Sequence, residues 1–327
     1  MIYLIQCDGK LPNLAMMRLS THFKENSESV TLMRGSGRRS LFDEPGPVYA
    51  SSIFQFSEPI RQRVVQNFGD SVMFGGTGVR VQSSLNEIAV REWDAVSPDY
   101  SLYPDFPYSL GFTQRGCRLT CKFCVVPKKE GKPKAVGTIM DIWRGGKNPK
   151  KIILLDNDFF GQPRDQWQAR IAELMEGSFR VSFCQGINIR QVDEESATAI
   201  ASVEYRDNEF QERILYTAWD NLGDEGVFER GVGLLQAAGI PSKHLRVYML
   251  IGFMPNETFE QIYYRFNRLV EMGCQPYPML YDMTRKDLKA FQRWVITGLY
   301  RACSWKDYRD PRKIVEHKSD DKQEDTP

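Results

Sequence analysis

Short apolar runs alternate with longer amphipathic segments along nearly the whole 327-residue chain. That alternation constrains the fold most, because a strand–helix–strand chain packs as parallel strands with helices laid on the sheet faces. Near the N-terminus, MIYLIQ, SVTLMR (29–34), PVYASSIF (47–54) and SVMFGGTG (71–78) read as strands, the last running into a glycine turn. LPNLAMMRLSTHFKE carries Ala15, Leu19 and Phe23 at helical spacing behind Pro12, and EPIRQRVVQNF (58–68) reads as a second helix. This pitch predicts a Rossmann-like parallel sheet over residues 1–95. GSGRRSLFDEPGP (35–47) is a loop by composition.

A Pro- and Tyr-rich stretch at 96–108 reads as a linker, packed rather than floppy because it lacks Gly/Ser flexibility. Alternation resumes over 109–306. SLGFTQ (109–114), KIILLDND (151–158), RVSFCQ (180–185), RILYTAW (213–219) and LRVYMLIGF (245–253) are expected strands, with helical segments between them. Phe259, Ile262, Phe266 and Leu269 fall on one helix face. DLKAFQRWVITGLYRACSW (287–305) reads as a closing helix. The fold class expected is therefore α/β: a Rossmann-like sheet followed by a partial (β/α)6 TIM-type barrel, with active residues at strand C-terminal ends. The charged tail 307–327 reads as disordered.

Composition narrows the chemistry. Lys+Arg is 43 against Asp+Glu 42, so bulk charge does not indicate nucleic acid. No apolar run approaches a membrane span, and MIYLIQCDGK turns polar too soon for a signal peptide. The expected compartment is a reducing cytoplasm, where clustered thiols are ligands rather than cross-links. Seven Cys against three His leaves little material for a His-based metal site.

GCRLTCKFCVV holds Cys117, Cys121 and Cys124 in C-x3-C-x2-C spacing directly after an expected strand. Structural zinc takes four ligands, and no fourth lies nearby in sequence. Three thiolates on a 4Fe-4S cluster would leave one iron open, and an open site implies chemistry. Cys7, Cys184, Cys274 and Cys303 lie singly among apolar residues and read as buried small hydrophobes.

That spacing, with Phe123 before the third Cys, resembles the signature of the radical S-adenosylmethionine (radical SAM) superfamily, over roughly residues 105–300. The resemblance implies a cluster whose open iron chelates S-adenosyl-L-methionine and an enzyme that cleaves it reductively to a 5′-deoxyadenosyl radical. It also implies an electron donor of flavodoxin or ferredoxin type. LLDNDFFG stands where the family has a Gly-Gly-Glu-like segment, so Asp156, Asn157 or Asp158 would meet the methionyl amino group; which of them stays open. By the same resemblance, Asn188 would meet the ribose and Arg190 the methionyl carboxylate. Asp220 and Asn221 of TAWDN would contact ribose or substrate, and Ile251 and Gly252 the adenine. A turn or strand-end cap is the plainer reading of each segment alone.

PNLAMMRLSTHFKE, VYASSIF and VMFGGTG also resemble the N-terminal domain of cobalamin-dependent radical SAM enzymes, in which Gly75, Gly76 and Gly78 would admit a cofactor's nucleotide tail. CDGKLPN carries no imidazole for cobalt, so a degenerate domain that shapes substrate access is the expectation, with cobalamin left open. The substrate is unknown, with methyl transfer suggested by architectural analogy. The alternative is a non-catalytic module in which the three Cys hold zinc. The basic loop PKKEGKPK (127–134) reads either as a phosphate contact or as a solvated lid.

Overall fold

The computed structural model describes residues 1–38 and 44–309. The expected loop at 35–47 lies partly outside these residues, and most of the expected tail lies outside them. In chain order the N-terminal elements are β1 (Ile2–Gln6), α1 (Leu14–Glu25), β2 (Val30–Arg34), β3 (Val48–Ser51), α2 (Glu58–Phe68) and β4 (Met73–Gly75). Then follow β5 (Ser109–Gly111), β6 (Gln114–Arg115), α3 (Val126–Lys129), β7 (Lys134–Ala135), α4 (Ile139–Ile142), β8 (Lys151–Leu154), α5 (Arg164–Glu176), β9 (Arg180–Phe183), α6 (Glu194–Ser202) and β10 (Glu204–Tyr205). The remainder comprises β11 (Leu215–Ala218), α7 (Glu225–Ala237), β12 (Leu245–Ile251), α8 (Phe259–Glu271), β13 (Gln275–Leu280), α9 (Lys286–Ile296) and α10 (Trp305–Arg309).

The protein is α/β with parallel sheets, divided into two compact units. The first contains residues 1–185 and 202–211, the second 186–201 and the residues from 212 on. The expected N-terminal domain and linker both fall in the first unit.

That unit holds two parallel sheets, ordered β2-β1-β3-β4 and β10-β9-β8-β5, and an antiparallel β6–β7 pair. β1 is buried along its whole length, and its side chains alternate between two cores. Tyr3 and Ile5 pack with Val48 and Val64 on one face, while Ile2 and Leu4 pack with Met16, Leu19 and Trp93 on the other. A strand covered on both faces reads as a continuous apolar run, which is what MIYLIQ is. Asn13 caps α1 by accepting from the Met16 N–H. The 96–108 segment is packed: Val96 and Tyr103 are buried, the Asp99 N–H donates to Met17 O, and the Asp99 carboxylate accepts from Ser20 Oγ at 2.6 Å.

The second unit carries the parallel sheet β11-β12-β13. β13 (QPYPML) has no counterpart among the sequence expectations, because Pro276 and Pro278 argue against a strand. It pairs with β12 at the sheet edge, where a missing N–H is tolerated. The closing helix is not continuous. It stops at Ile296 and restarts at Trp305, and Gly298 between them adopts φ +75°. α8 buries Ile262, Phe266 and Leu269 as its apolar spacing requires, together with Arg265. The expected barrel strands are divided between the β10-β9-β8-β5 and β11-β12-β13 sheets, and no closed barrel forms among the described residues.

Candidate cysteine-loop site and strand-end ligand groups

Cys117, Cys121 and Cys124 lie beyond the C-terminal end of β5, on the loop between β6 and α3. All three are half-buried free thiols. Gly116 makes the loop possible: its φ is +82°, and a Cβ there would stand 2.3 Å from Lys132 O. Only glycine meets both demands. The Gly116 N–H donates to Glu130 Oε2 at 2.9 Å, the Cys117 N–H to Gly131 O, and the Cys124 N–H to Cys121 O. Glu130 also accepts from Arg115 at 3.2 Å and from Asn157 Nδ2 at 2.8 Å. One glutamate thus ties the cysteine loop to the segment after β8.

A second tie runs through Asp158, which is 1% exposed. Its carboxylate accepts from the Arg118 N–H at 3.0 Å, from Nε at 2.8 Å and from Nη2 at 2.9 Å. Its own N–H donates to Gln114 Oε1 at 3.0 Å, while Gln114 Nε2 donates to the Arg115 and Gly116 carbonyls. A Cβ on Gly161 would lie 2.5 Å from Asp158 Oδ2, so that glycine clears room for the carboxylate. Asp156, two residues earlier, holds the chain just ahead of the cysteine loop. It accepts from the Thr113 and Gln114 N–H groups at 2.7 and 3.1 Å and from the Thr113 hydroxyl. Burial pushes its carboxyl up to about 7 against the pull of those hydrogen bonds.

The structure thus brings Cys117, Cys121, Cys124, Phe123, Asp156, Asn157 and Asp158 into one neighbourhood. Asp158 holds the loop at the Arg118 N–H and Asp156 holds the Thr113–Gln114 backbone leading into it, roles that spacing alone did not reveal. Arg118, Gln114 and Glu130 were missed, because their partners lie 14 to 44 residues away and no local pattern marks such contacts. Among the described residues, no group of three or more His, Cys, Asp or Glu side chains is drawn together as a metal-holding set. Burial holds the Cys117 thiol above its ordinary value, and Asp158, Cys124 and Cys121 add to the rise. Three half-buried thiols on one loop are soft donors of the kind a thiophilic cation takes. By donor type, though not by a gathered geometry, the set fits an iron–sulfur cluster.

The second unit gathers the other strand-end candidates. Arg190 Nη1 donates to Asp224 Oδ2 at 3.1 Å, and Asn221 Nδ2 donates to the same oxygen at 2.7 Å. Asp220 accepts from the Leu250 N–H at 3.1 Å, beside Ile251 and Gly252, and burial raises its carboxyl. Gly252 has φ +78°, and a Cβ there would press on Leu288 Cδ1 at 2.9 Å. Arg265, buried completely, donates to Trp219 O at 2.7 Å and to Leu250 O at 2.9 Å, and pairs with Glu257. It clamps the ends of β11 and β12, and being charged it escaped a hydropathy reading. Asn188 Nδ2 and Trp219 Nε1 are buried donors without partners among the described residues. Such groups are costly unless water or a ligand satisfies them.

Of the glycines at the end of β4, Gly75 has open space where a Cβ would stand, whereas Gly76 and Gly78 are closely approached by backbone. A Cβ on Gly76 would meet Ser52 O at 2.3 Å, and one on Gly78 would meet Phe54 O at 2.5 Å. They let the loops after β3 and β4 pack on each other. Asp8, on the loop after β1, accepts from Ser52 Oγ and from the Ile53 and Phe54 N–H groups.

No helix among the described residues is long and apolar enough to cross a membrane. No family model, curated protein or solved structure matches the chain.

Proposed function

We propose that this protein is a radical SAM enzyme in which Cys117, Cys121 and Cys124 hold a 4Fe-4S cluster. The observation that carries the reading is the C-x3-C-x2-C loop after β6, a few residues beyond the parallel strand β5, stitched at two points to the end of β8. When bound, the cluster supplies one electron to S-adenosylmethionine, whose C5′–S bond breaks to give a 5′-deoxyadenosyl radical that takes hydrogen from substrate.

The chain's own residues hold and orient the reactants. Asp156 and Asp158 are committed to the loop backbone and to Arg118, so Asn157 is our choice for the methionyl amino group. Its Nδ2 is tied to Glu130, and its Oδ1 remains as an acceptor among the described residues. Asn188 brings an unsatisfied buried donor suited to a ribose oxygen. Asp224 pre-orients both Arg190 and Asn221. We read β5, β8, β9, β11, β12 and β13, each followed by a helix in the chain, as the six strands of a partial (β/α)6 barrel. The β2-β1-β3-β4 sheet is read as a domain that no longer takes cobalamin, since Gly76 and Gly78 are committed to loop packing. A hydroxocobalamin titration with a spectral shift would overturn that part.

Anaerobic reconstitution with iron and sulfide tests the cluster. The expected result is about four irons per chain, lost when any of the three Cys becomes Ala. A colourless protein with one tightly held zinc would overturn it in favour of a zinc-stabilised module.

A further inference from the structure

A cleft of about 440 Å³ opens at the C-terminal edge of the β2-β1-β3-β4 sheet, lined by Lys10, Pro12, Arg34, Tyr103, Asp105 and Phe106 among others. Its volume is within the about 300–1,000 Å³ usual for small-ligand sites, and carboxyl strand ends are where open α/β sheets bind ligands.

The loop after β1 is built with its donors outward. Gln6, buried at 3% exposure, donates its side-chain amide to the carbonyls of Asp8, Gly9 and Leu11 at 3.1, 3.1 and 2.9 Å. Tyr103 Oη locks that amide by donating to Gln6 Oε1 at 2.8 Å, and it accepts from the Asn13 N–H. In a trans peptide the C=O and N–H point in opposite directions. Turning the Asp8 and Gly9 carbonyls onto Gln6 therefore turns the Gly9 and Lys10 N–H groups away from it. Neither N–H has a partner among the described residues. The Lys10 ammonium and the Arg34 guanidinium have no ion-pair partner among the described residues either, although Arg34 lies over the Tyr103 ring at 5.3 Å. Two unpaired cations lining one cleft, with two unpaired backbone donors at Lys10 and its neighbour Gly9, make a place for an anion. The half-buried Phe106 ring offers an aromatic wall, and Asp105 offers a carboxylate acceptor of the kind that takes sugar hydroxyls.

We propose that this cleft binds a nucleoside monophosphate, its phosphate held by Lys10 and Arg34 with the Gly9 and Lys10 N–H groups, its ribose by Asp105 and its base against Phe106. The site is independent of the cysteine loop and needs neither iron nor S-adenosylmethionine.

The test is isothermal titration of the full-length protein with uridine 5′-monophosphate, chosen so that no adenosyl-binding site contributes, and with inorganic phosphate alone. The expected dissociation constant for the nucleotide is below about 1 mM, with about tenfold weakening in Lys10→Ala and in Arg34→Ala. Asp105→Asn should weaken the nucleotide and leave phosphate unchanged. Lys10, Arg34 and Asp105 are exposed, so these variants should keep the wild-type unfolding midpoint. Absence of nucleotide binding, or binding unaffected by both cation variants, would overturn the site. Phosphate binding as tight as the nucleotide's would overturn the nucleoside assignment.

Discussion

Replacing Asp156 with Asn removes a buried acid while keeping every hydrogen bond of the site possible. The Asn Oδ1 can still accept from the Thr113 and Gln114 N–H groups, and Nδ2 can donate to the Thr113 hydroxyl. The carboxyl stands near 7 in the folded chain against an ordinary 3.8, raised by burial. Between those values the unfolded chain has lost the proton and the folded chain retains it. Wild-type stability therefore falls as pH rises through that window, at about 1.4 kcal/mol per pH unit, and the loss is complete above the folded value. The Asn variant has no such slope. Relative to wild type it should gain about 2 kcal/mol between pH 5.5 and 7 and hold that gain at pH 8. Asp156→Ala strands two buried N–H groups at about 1–3 kcal/mol each, so it should lose stability where Asn does not. Urea denaturation of the three proteins at pH 5.5 and 8 measures both differences. An Asn variant less stable than wild type at pH 8, or a difference that does not change with pH, would refute the assignment of Asp156 as a protonated backbone tie.

Other consequences follow from named contacts. Asp158→Asn breaks the paired grip on Arg118 and should weaken iron retention by about tenfold or more, read by iron content after desalting. Gly116→Ala meets both a positive φ and the Lys132 carbonyl, so it should cost more than about 2 kcal/mol and abolish reconstitution. Burial tends to raise Asp99, but hydrogen bonds from Lys24, Ser20 and Ser101 hold it at about 2. Its stabilisation is present above the ordinary carboxylate value and is lost as pH falls toward 2. Asp99→Asn should therefore flatten the acid limb of the urea-midpoint profile and leave its difference from wild type constant above about pH 5.

What the sequence conveyed follows from the range of the forces involved. β1, buried on both faces, and α8, with its one-sided apolar stripe, are written in local periodicity. β13 is not, because its prolines contradict strand propensity and only its place at the sheet edge excuses them. Arg265 is hidden for a similar reason, since its burial is repaid by the Trp219 and Leu250 carbonyls and by Glu257, none of which a hydropathy pattern encodes. The three thiols of the cysteine loop were legible as a group because their spacing is local. The division of labour within Asp156-Asn157-Asp158 was not, because it depends on Thr113, Gln114 and Arg118 across about forty residues of chain. The glycines after β4 show the same limit: the Ser52 and Phe54 backbones that approach Gly76 and Gly78 lie far back in the chain.

The most direct test of the central claim is product formation by the anaerobically reconstituted protein given dithionite and S-adenosylmethionine. The account predicts 5′-deoxyadenosine and methionine in equal amounts, abolished in Cys117→Ala, Cys121→Ala and Cys124→Ala. A reconstituted, iron-loaded protein that forms no 5′-deoxyadenosine, or one whose product survives all three substitutions, would contradict it.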